Sequence, residues 1–177
     1  MNKIIAVVGL CGSGKSEAVK FFSENGYLRV YFGEVVLDEL KKRGLDINEE
    51  NEKFVREELR KKYGMGVMAI KSLDKIREFF KQGNVVIESL YSWTEFKIIK
   101  SEFGENFKLL ALHTSKPLRY KRLSERNVRP LKLEESIQRD INEIENIEKA
   151  GPIAFADYLI INDGSLEELR EKLKLLL

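Results

Sequence analysis

The stretch Gly9-Leu10-Cys11-Gly12-Ser13-Gly14-Lys15-Ser16 decides the fold of this chain. It has the spacing G-x-x-x-x-G-K-[ST] of a phosphate-binding loop. Glycines let the backbone curl so that several N–H groups point into one hollow, which suits the β-phosphate of a nucleoside triphosphate. We therefore predict that Lys15 reaches the β- and γ-phosphates and that the Ser16 hydroxyl binds Mg²⁺. The remaining nucleotide-binding positions of the motif are Gly9, Gly12, Ser13 and Gly14.

The residues on either side of this phosphate loop (residues 9–16) favour the same interpretation. Residues 3–8 are almost continuously apolar, as in a buried parallel strand. Apolar residues then recur at helical spacing, and Asn25-Gly26 predicts the end of that helix. Strand, loop and helix come in the order that places phosphates at a helix N-terminus. The alternative is a glycine-rich turn that binds nothing.

Composition limits the remaining possibilities. The 177 residues fit a single domain, 1–177, and 43% hydrophobic residues suffice for a core. A net charge of +2 with mixed signs argues against a nucleic-acid-binding protein. The apolar runs are too short to span a membrane, and the chain enters its first strand too early for a signal peptide. One cysteine, Cys11, cannot form an internal disulfide, so we expect a reducing, cytoplasmic setting.

Five apolar segments alternate with helical patterns and predict a doubly wound α/β domain. The strands are expected at 3–8, 28–32, 84–88, 107–112 and 158–161. More helix than one crossover needs separates the second and third strands, with one helix starting at Asp46. We predict that this segment, residues 33–83, binds the phosphoryl acceptor. Arg56 and Arg60, one helical turn apart, would hold its phosphate, unless they are ordinary surface charges.

Arginines cluster after the fourth strand. Thr114 or Ser115 can cap the next helix, and Pro130 is expected to hold Arg129 extended. We predict that residues 116–139 form a lid that brings positive charge to the triphosphate, although a solvated basic face would look the same. A helix at 134–150 would bury an isoleucine stripe and leave Arg139 off that stripe. The spacing i, i+3 and i+7 predicts that Arg119, Arg122 and Arg126 project from one side of the helix. The arginines of the predicted lid are Arg119, Arg122, Arg126, Arg129 and Arg139.

Glu88 ends the third predicted strand, at the edge of the sheet where ligands bind. Its carboxylate can hold Mg²⁺ through water or accept the proton of the phosphoryl acceptor. It can also simply cap the next turn.

These segments together resemble the nucleoside monophosphate kinase group of P-loop kinases. The similarity is closer to dephospho-CoA kinase and to archaeal adenylate-kinase-related proteins described as predicted NTP hydrolases. It extends over nearly the whole chain and covers the phosphate loop, Leu59-Arg60 and Gly64, and residues 85–96, 119–129, 139–140, 156–158 and 162–166. The resemblance implies a three-layer α/β/α fold with a five-stranded parallel sheet, ATP and Mg²⁺ as cofactors, a mobile lid, and phosphoryl transfer to a small phosphorylated or nucleotide-like acceptor.

The same resemblance implies roles for individual residues. Arg122 and Arg126 match lid arginines, Arg139 matches the arginine of the following helix, and Asn162 belongs to a turn that borders the adenine. Two departures are present. Glu88-Ser89-Leu90-Tyr91 stands where the related proteins usually carry Asp-Gly-x-Arg, and Pro130-Leu131-Lys132 replaces an acidic pair. A nucleotide-binding regulator or slow NTPase that acts through a protein partner therefore remains the second hypothesis beside a small-molecule kinase.

Overall fold

A five-stranded parallel sheet in the order β2-β3-β1-β4-β5 forms the centre of the protein. The computed structural model describes residues 2–177. The strands are β1 (Ile4–Val8), β2 (Leu28–Tyr31), β3 (Val85–Glu88), β4 (Phe107–His113) and β5 (Tyr158–Ile161). The helices are α1 (Lys15–Glu24), α2 (Glu34–Arg43), α3 (Glu49–Tyr63), α4 (Val67–Gln82), α5 (Trp93–Phe103), α6 (Lys116–Glu125), α7 (Leu133–Glu145), α8 (Ala150–Ala154) and α9 (Leu166–Lys174). The α/β fold and the parallel sheet predicted from the sequence are confirmed.

The continuous apolar run of β1 follows from its place at the centre of the sheet. β1 pairs with β3 on one side and β4 on the other, with Ile4 aligned to Val85 and to Phe107. Both of its faces are covered, so every residue of the strand is buried. Ile4, Ala6 and Val8 pack into the core under α2–α5, whereas Ile5 and Val7 pack against α1 and α9. The phosphate loop therefore begins at the end of a fully buried strand that is paired on both sides.

The helical segment between β2 and β3 consists of α2, α3 and α4. The predicted start of α3 at Asp46 is wrong by two residues. Asn48 is the N-cap, and its side chain accepts a hydrogen bond from the Asn51 amide at 2.9 Å. Asn51 in turn donates to the Asp46 carbonyl at 2.9 Å. The polar pattern predicted a cap correctly, but asparagine and aspartate are nearly equal in this role, and the local turn selects Asn48.

The predicted helix at 134–150 is two helices, since α7 ends at Glu145 and α8 starts at Ala150. The prediction that its isoleucine stripe is buried is also wrong. Ile137, Ile141 and Ile144 are 37%, 41% and 45% exposed, and the buried positions of α7 are polar. Ser136, Asp140 and Glu143 occupy that buried face, and Glu143 binds the phosphate loop while Asp140 binds Arg119 on α6. Tertiary contacts thus override the apolar periodicity.

The connection between α6 and α7 also departs from expectation. Arg129 precedes Pro130 but has φ 52°, in the left-handed region, so it is not extended. Its guanidinium lies 3.5 Å from Glu49 and 3.6 Å from Glu52, on the opposite helix α3. These ion pairs favour the turned backbone. Separately, no helix within residues 2–177 is both long and apolar enough to cross a membrane.

Candidate active site

The phosphate loop is a turn that only glycine allows at its critical positions. Gly14, the N-cap of α1, has φ 96°, and a Cβ on it would lie 2.3 Å from Asn162 Nδ2. Gly12 has φ 82°, and a Cβ there would lie 2.9 Å from the Arg119 carbonyl oxygen. Both the left-handed backbone and the close approach exclude a side chain. The loop thus keeps the open, curled backbone that the sequence motif predicted.

Two polar side chains, Asn162 and Thr114, bind the backbone of the phosphate loop. The Ser13 carbonyl accepts a hydrogen bond from Asn162 Nδ2 at 2.9 Å, and Thr114 Oγ1 lies 3.3 Å from the same oxygen. Thr114 Oγ1 also lies 3.0 Å from the Asn162 carbonyl. The buried Asn162 side chain therefore binds the backbone of the phosphate loop. Contact between the turn at Asn162 and an adenine stays a prediction. Thr114 does not cap α6: that position belongs to Ser115, whose side chain makes no capping bond.

Lys15 is the first residue of α1, and its ammonium donates to the Leu10 carbonyl across the loop at 2.9 Å. Burial and, to a smaller extent, the neighbouring Lys149 lower the pKa of Lys15 to about 7, although Glu143 opposes the shift. Because the Lys15 ammonium is desolvated, a nearby anion would stabilise its charged form strongly. The geometry and the electrostatics both suit a phosphate.

Arg119 lies beneath the loop and does not point into a lid. Its guanidinium makes a bidentate pair with Asp140 at 2.9 and 2.7 Å, and its Nη1 donates to the Cys11 carbonyl at 3.0 Å. Tyr120 adds a third hydrogen bond to Asp140, at 2.9 Å. This buried network ties α6 and α7 to the phosphate loop. The interpretation of Arg119 as a lid arginine is therefore wrong.

The other predicted lid arginines do not share one face of α6. Arg122 Nη1 lies 3.3 Å from Thr114 Oγ1, so this side chain reaches the edge of the phosphate loop. Arg126 lies just past the last residue of α6, and its Nε donates to the Arg129 carbonyl. The structure brings Arg122 close to the loop and leaves Arg126 in the connection to α7.

Arg139 belongs to a cluster of charges that the sequence did not reveal. Its Nε lies 3.4 Å from Glu143 Oε1, one turn along α7. Glu143 Oε2 accepts from Lys149 Nζ at 2.7 Å and from the Cys11 amide at 3.3 Å. Burial raises the pKa of Glu143, but Lys149 and the other cations outweigh this and hold the pKa below its usual value. Arg139 is thus connected to the phosphate loop through Glu143, and its role in phosphoryl transfer stays a prediction.

Glu88, the predicted metal and proton-transfer residue, is ion-paired with Arg29 on β2, with Nε 2.6 Å from Oε2. Its contribution to a metal site stays a prediction. Ser16 lies in the first turn of α1 and is exposed. Within residues 2–177, no group of three or more His, Cys, Asp or Glu side chains is arranged to hold a metal ion. One hydroxyl beside a phosphate hollow fits Mg²⁺, because that ion takes most of its ligands from phosphates and water.

Arg56 and Arg60 lie on α3, across a cleft from α7. The cleft has a volume of about 770 Å³, and Arg139, Glu143 and Lys149 line its other wall. A smaller pocket of about 40 Å³ continues from both arginines to Tyr31 and Ser89. Arg60 Nε is buried, and no residue in the range 2–177 offers it a hydrogen bond. Burial lowers the pKa of Arg60, and Glu95 partly opposes this. Arg56 and Arg60 therefore face the charged cluster of Arg139, Glu143 and Lys149 across one cleft.

Comparison with known proteins agrees with this geometry. A family model described as an AAA domain matches residues 5–147. The UPF0200 protein of Thermococcus onnurineus is 36% identical over 175 residues, covering 97% of this chain and 94% of its own. The chain belongs to the AAA domain family and to the UPF0200 proteins. A UPF0200/UPF0201 protein of Archaeoglobus fulgidus is 35% identical over 99% of this UPF0200 chain, which spans 55% of that relative.

Solved structures with a similar fold include P-loop kinases. Shikimate kinase from Bacteroides thetaiotaomicron superposes with a TM-score of 0.64 at 16% identity, covering 98% of this chain and 97% of its own. Dephospho-CoA kinase from Campylobacter jejuni gives a TM-score of 0.55 at 18% identity, covering 99% and 95%. TT1252 from Thermus thermophilus gives 0.66 at 19% identity, covering 99% and 96%. At these identities the likeness establishes the fold, which is that of the P-loop kinases.

Sequence reasoning missed three residues of the site: Thr114, Glu143 and Lys149. A signal was present for Glu143, because the polar residues of α7 recur at 136, 140 and 143, which is helical spacing. That stripe competed with a more conspicuous isoleucine stripe on a neighbouring face. Lys149 follows the helix in a loop, where no periodicity applies.

Proposed function

We propose that this protein is an ATP-dependent phosphotransferase that moves the γ-phosphate to a small phosphorylated or nucleotide-like acceptor. The observation that carries the proposal is the single cleft of about 770 Å³ with cations on both walls. One wall reaches the phosphate loop through Glu143, and the other presents Arg56 and Arg60. A donor and an acceptor that both carry phosphates need such a pair of anion sites facing each other.

On the nucleotide wall, the loop amides with Gly9, Gly12, Ser13 and Gly14 would hold the β-phosphate. Lys15 would bind the β- and γ-phosphates. Arg139 would neutralise charge on the transferring group, because it already lies beside the loop. Arg122, at the loop edge, would join it, and Arg126 would do so when residues 116–139 close as a lid.

Magnesium would be held by the Ser16 hydroxyl and, through water, by Glu88. The ion supplies charge neutralisation between the β- and γ-phosphates. Glu88 would reach it by exchanging its pairing with Arg29, whose side chain is about half exposed and keeps water as a partner. The longer glutamate arm, relative to the usual aspartate, would make that reach possible.

On the opposite wall, residues 33–83 would bind the acceptor. Arg56 and Arg60 would hold its phosphate, since Arg60 has a buried Nε without a partner among residues 2–177. Burying a cation costs free energy unless an anion compensates. Glu95 compensates the Arg60 charge only in part, and a bound phosphate would also accept a hydrogen bond from Nε.

The direct test is a coupled assay of ADP release with ATP, Mg²⁺ and a panel of nucleoside monophosphates, dephospho-CoA and shikimate. We expect one acceptor class to stimulate turnover, with the phosphorylated product visible by mass spectrometry. Arg139→Ala should lower turnover more than ATP affinity, because its charge acts mostly in the transition state. A panel without any acceptor-stimulated turnover would count against a kinase.

A second candidate is a nucleotide-binding regulator or slow NTPase that works through a protein partner. The Glu88–Arg29 pair favours it, because that pairing draws the carboxylate away from any metal and acceptor. Hydrolysis stimulated by a partner protein, with no phosphorylated small product, would select this candidate.

A further inference from the structure

Lys149 and Glu143 form a buried ion pair on the wall of the cleft. Their exposures are 2% and 6%, and Nζ lies 2.7 Å from Oε2. The Lys149 ammonium also lies 4.5 Å from the centre of the Tyr91 ring. Desolvating two charges usually costs about as much as their attraction returns, so such a pair is a weak device for stability. Its position beside an anion-binding loop indicates another use.

The Glu143 carboxylate has the partners of a phosphate group. One of its oxygens accepts from Lys149 and, at 3.3 Å, from the Cys11 amide of the phosphate loop. The other lies 3.4 Å from Arg139 Nε. A backbone amide of a phosphate loop, an ammonium and a guanidinium are the donors that a phosphoryl oxygen takes in proteins. The Glu143 carboxylate therefore occupies three donors that would also suit the terminal phosphate of a nucleotide.

The residue before Lys149 has an unusual backbone conformation, and the Lys149 side chain lines the cleft. Glu148 has φ 56°, a left-handed conformation that is costly for a residue with a side chain. Its carboxylate accepts from the Thr94 amide at 3.1 Å and from the Thr94 hydroxyl at 2.9 Å, at the start of α5. The Lys149 amide then donates to the Glu143 carbonyl at 3.2 Å. The strained turn fixes both members of the pair at once.

We propose that Lys149 is a further phosphate-binding residue of this site, and that Glu143 takes the place of the terminal phosphate until a nucleoside triphosphate displaces it. The inference rests on the proposed function for the identity of the ligand. On displacement, the γ-phosphate takes over the Cys11 amide, Lys149 and Arg139. A diphosphate, which lacks that group, leaves the carboxylate in place.

The test compares ADP with β,γ-imido-ATP, which cannot transfer its phosphate, by titration calorimetry without an acceptor. Glu143→Gln should bind the triphosphate analogue about tenfold more tightly or better, with ADP affinity changed less than threefold, because only the triphosphate must expel the carboxylate. Lys149→Met should weaken the analogue by about tenfold or more and spare ADP. Glu145→Gln, an exposed residue on the same helix, is the matched control and should change neither.

The double variant Glu143→Gln/Lys149→Met leaves no buried charge of the pair uncompensated, so it tests the idea even where Glu143→Gln does not fold. It should bind the analogue at least about tenfold more tightly than Lys149→Met alone, which keeps the competing carboxylate. Equal affinity of those two variants would overturn the proposal. So would Glu143→Gln binding the analogue more weakly, or tightening both nucleotides equally. A wild-type protein that shows the predicted preferences but never yields a phosphorylated product would contradict the proposed function and leave this inference standing.

Discussion

The two walls of the cleft differ in whether their buried polar groups already have partners. On the phosphate-loop wall, buried charges of opposite sign pair with each other: Arg119 pairs with Asp140, and Lys149 pairs with Glu143. On the α3 wall, Arg60 keeps a buried Nε without a partner in residues 2–177. The first wall holds its own shape before any ligand arrives. The second keeps a buried donor without a partner, so we expect a ligand to complete the α3 wall, whereas on the loop wall a ligand has to exchange with charges that are already paired.

The largest effect should follow from breaking the support of the loop wall. Asp140→Asn leaves the buried Arg119 guanidinium without a counter-charge, with side-chain exposures of 5% and 10% for the pair. We expect the free energy of unfolding to fall by about 3 kcal/mol or more, as for other broken buried pairs. Urea denaturation measures this.

The control for that variant is Glu49→Gln. Its partner Arg129 lies 3.5 Å away, but both side chains are exposed, so the loss should stay below about 1 kcal/mol. Equal losses in the two variants would show that the Arg119–Asp140 pair is no more important than a surface pair.

The α3 wall should respond in the opposite way. Arg60→Met removes a cation whose burial Glu95 compensates only in part, so we expect little change in stability. The KM of the acceptor that stimulates turnover most should rise by about tenfold or more, since a hydrogen bond to a charged group is lost, with nucleotide affinity unchanged.

Lys61→Met, an exposed neighbour on α3, is the control for Arg60→Met and should leave KM as it is. A loss of stability in Arg60→Met without a change in KM would make Arg60 a structural residue and remove the contrast between the walls.

An intermediate effect on nucleotide affinity is expected when the pH changes, because Lys15 on the phosphate-loop wall titrates. Lys15 has a pKa of about 7 without nucleotide, lowered by burial and by Lys149. Phosphates at its ammonium raise that pKa, so binding above pH 7 takes up a proton. The dissociation constant of Mg·ADP should therefore increase with pH above about 7, by up to about tenfold per pH unit, and change little below it.

Calorimetry in buffers of different ionisation enthalpy measures that proton uptake. Lys15→Arg keeps its proton throughout this range, so its affinity for Mg·ADP should not depend on pH. A wild-type protein with no buffer-dependent heat at pH 8 would show that Lys15 is already protonated before binding.

The smallest effect concerns the turn after β3, which lines the smaller pocket. Ser89 has φ 67° at the position where related kinases usually carry glycine, and its hydroxyl accepts from Tyr91 at 3.0 Å. Ser89→Gly relieves the backbone, whereas Ser89→Ala keeps the strain and loses the hydroxyl. We expect the glycine variant to be more stable than the alanine variant by about 1 kcal/mol in urea denaturation. The reverse order would mean that the left-handed turn costs nothing here.

Much of the fold was predictable because local patterns and tertiary placement agree along β1, the phosphate loop and α1. The motif predicted a curled loop, and Gly12 and Gly14 have the left-handed conformations that such a loop needs. The prediction was wrong where two patterns compete on one helix. On α7 the isoleucines gave the stronger periodic signal, yet Ser136, Asp140 and Glu143 are the buried residues.

The arginines after β4 show the same limit. Sequence spacing placed Arg119, Arg122 and Arg126 on one side of a helix, but the helix ends at Glu125 and Arg119 is buried. Spacing says which side chains share a face, and it does not say what that face meets. The roles of Glu88, Arg56, Arg60 and the lid remain predictions for the experiments above.

The sequence by itself determined the strand–loop–helix unit at the N-terminal end of the chain, because glycine conformations and apolar burial act over a few residues. Only the tertiary structure decided that Glu143 reaches the Cys11 amide, 132 positions away, and that Lys149 lies beside it. Charges interact through space over a few ångströms irrespective of chain order. Contacts of that kind exist only once the chain has folded.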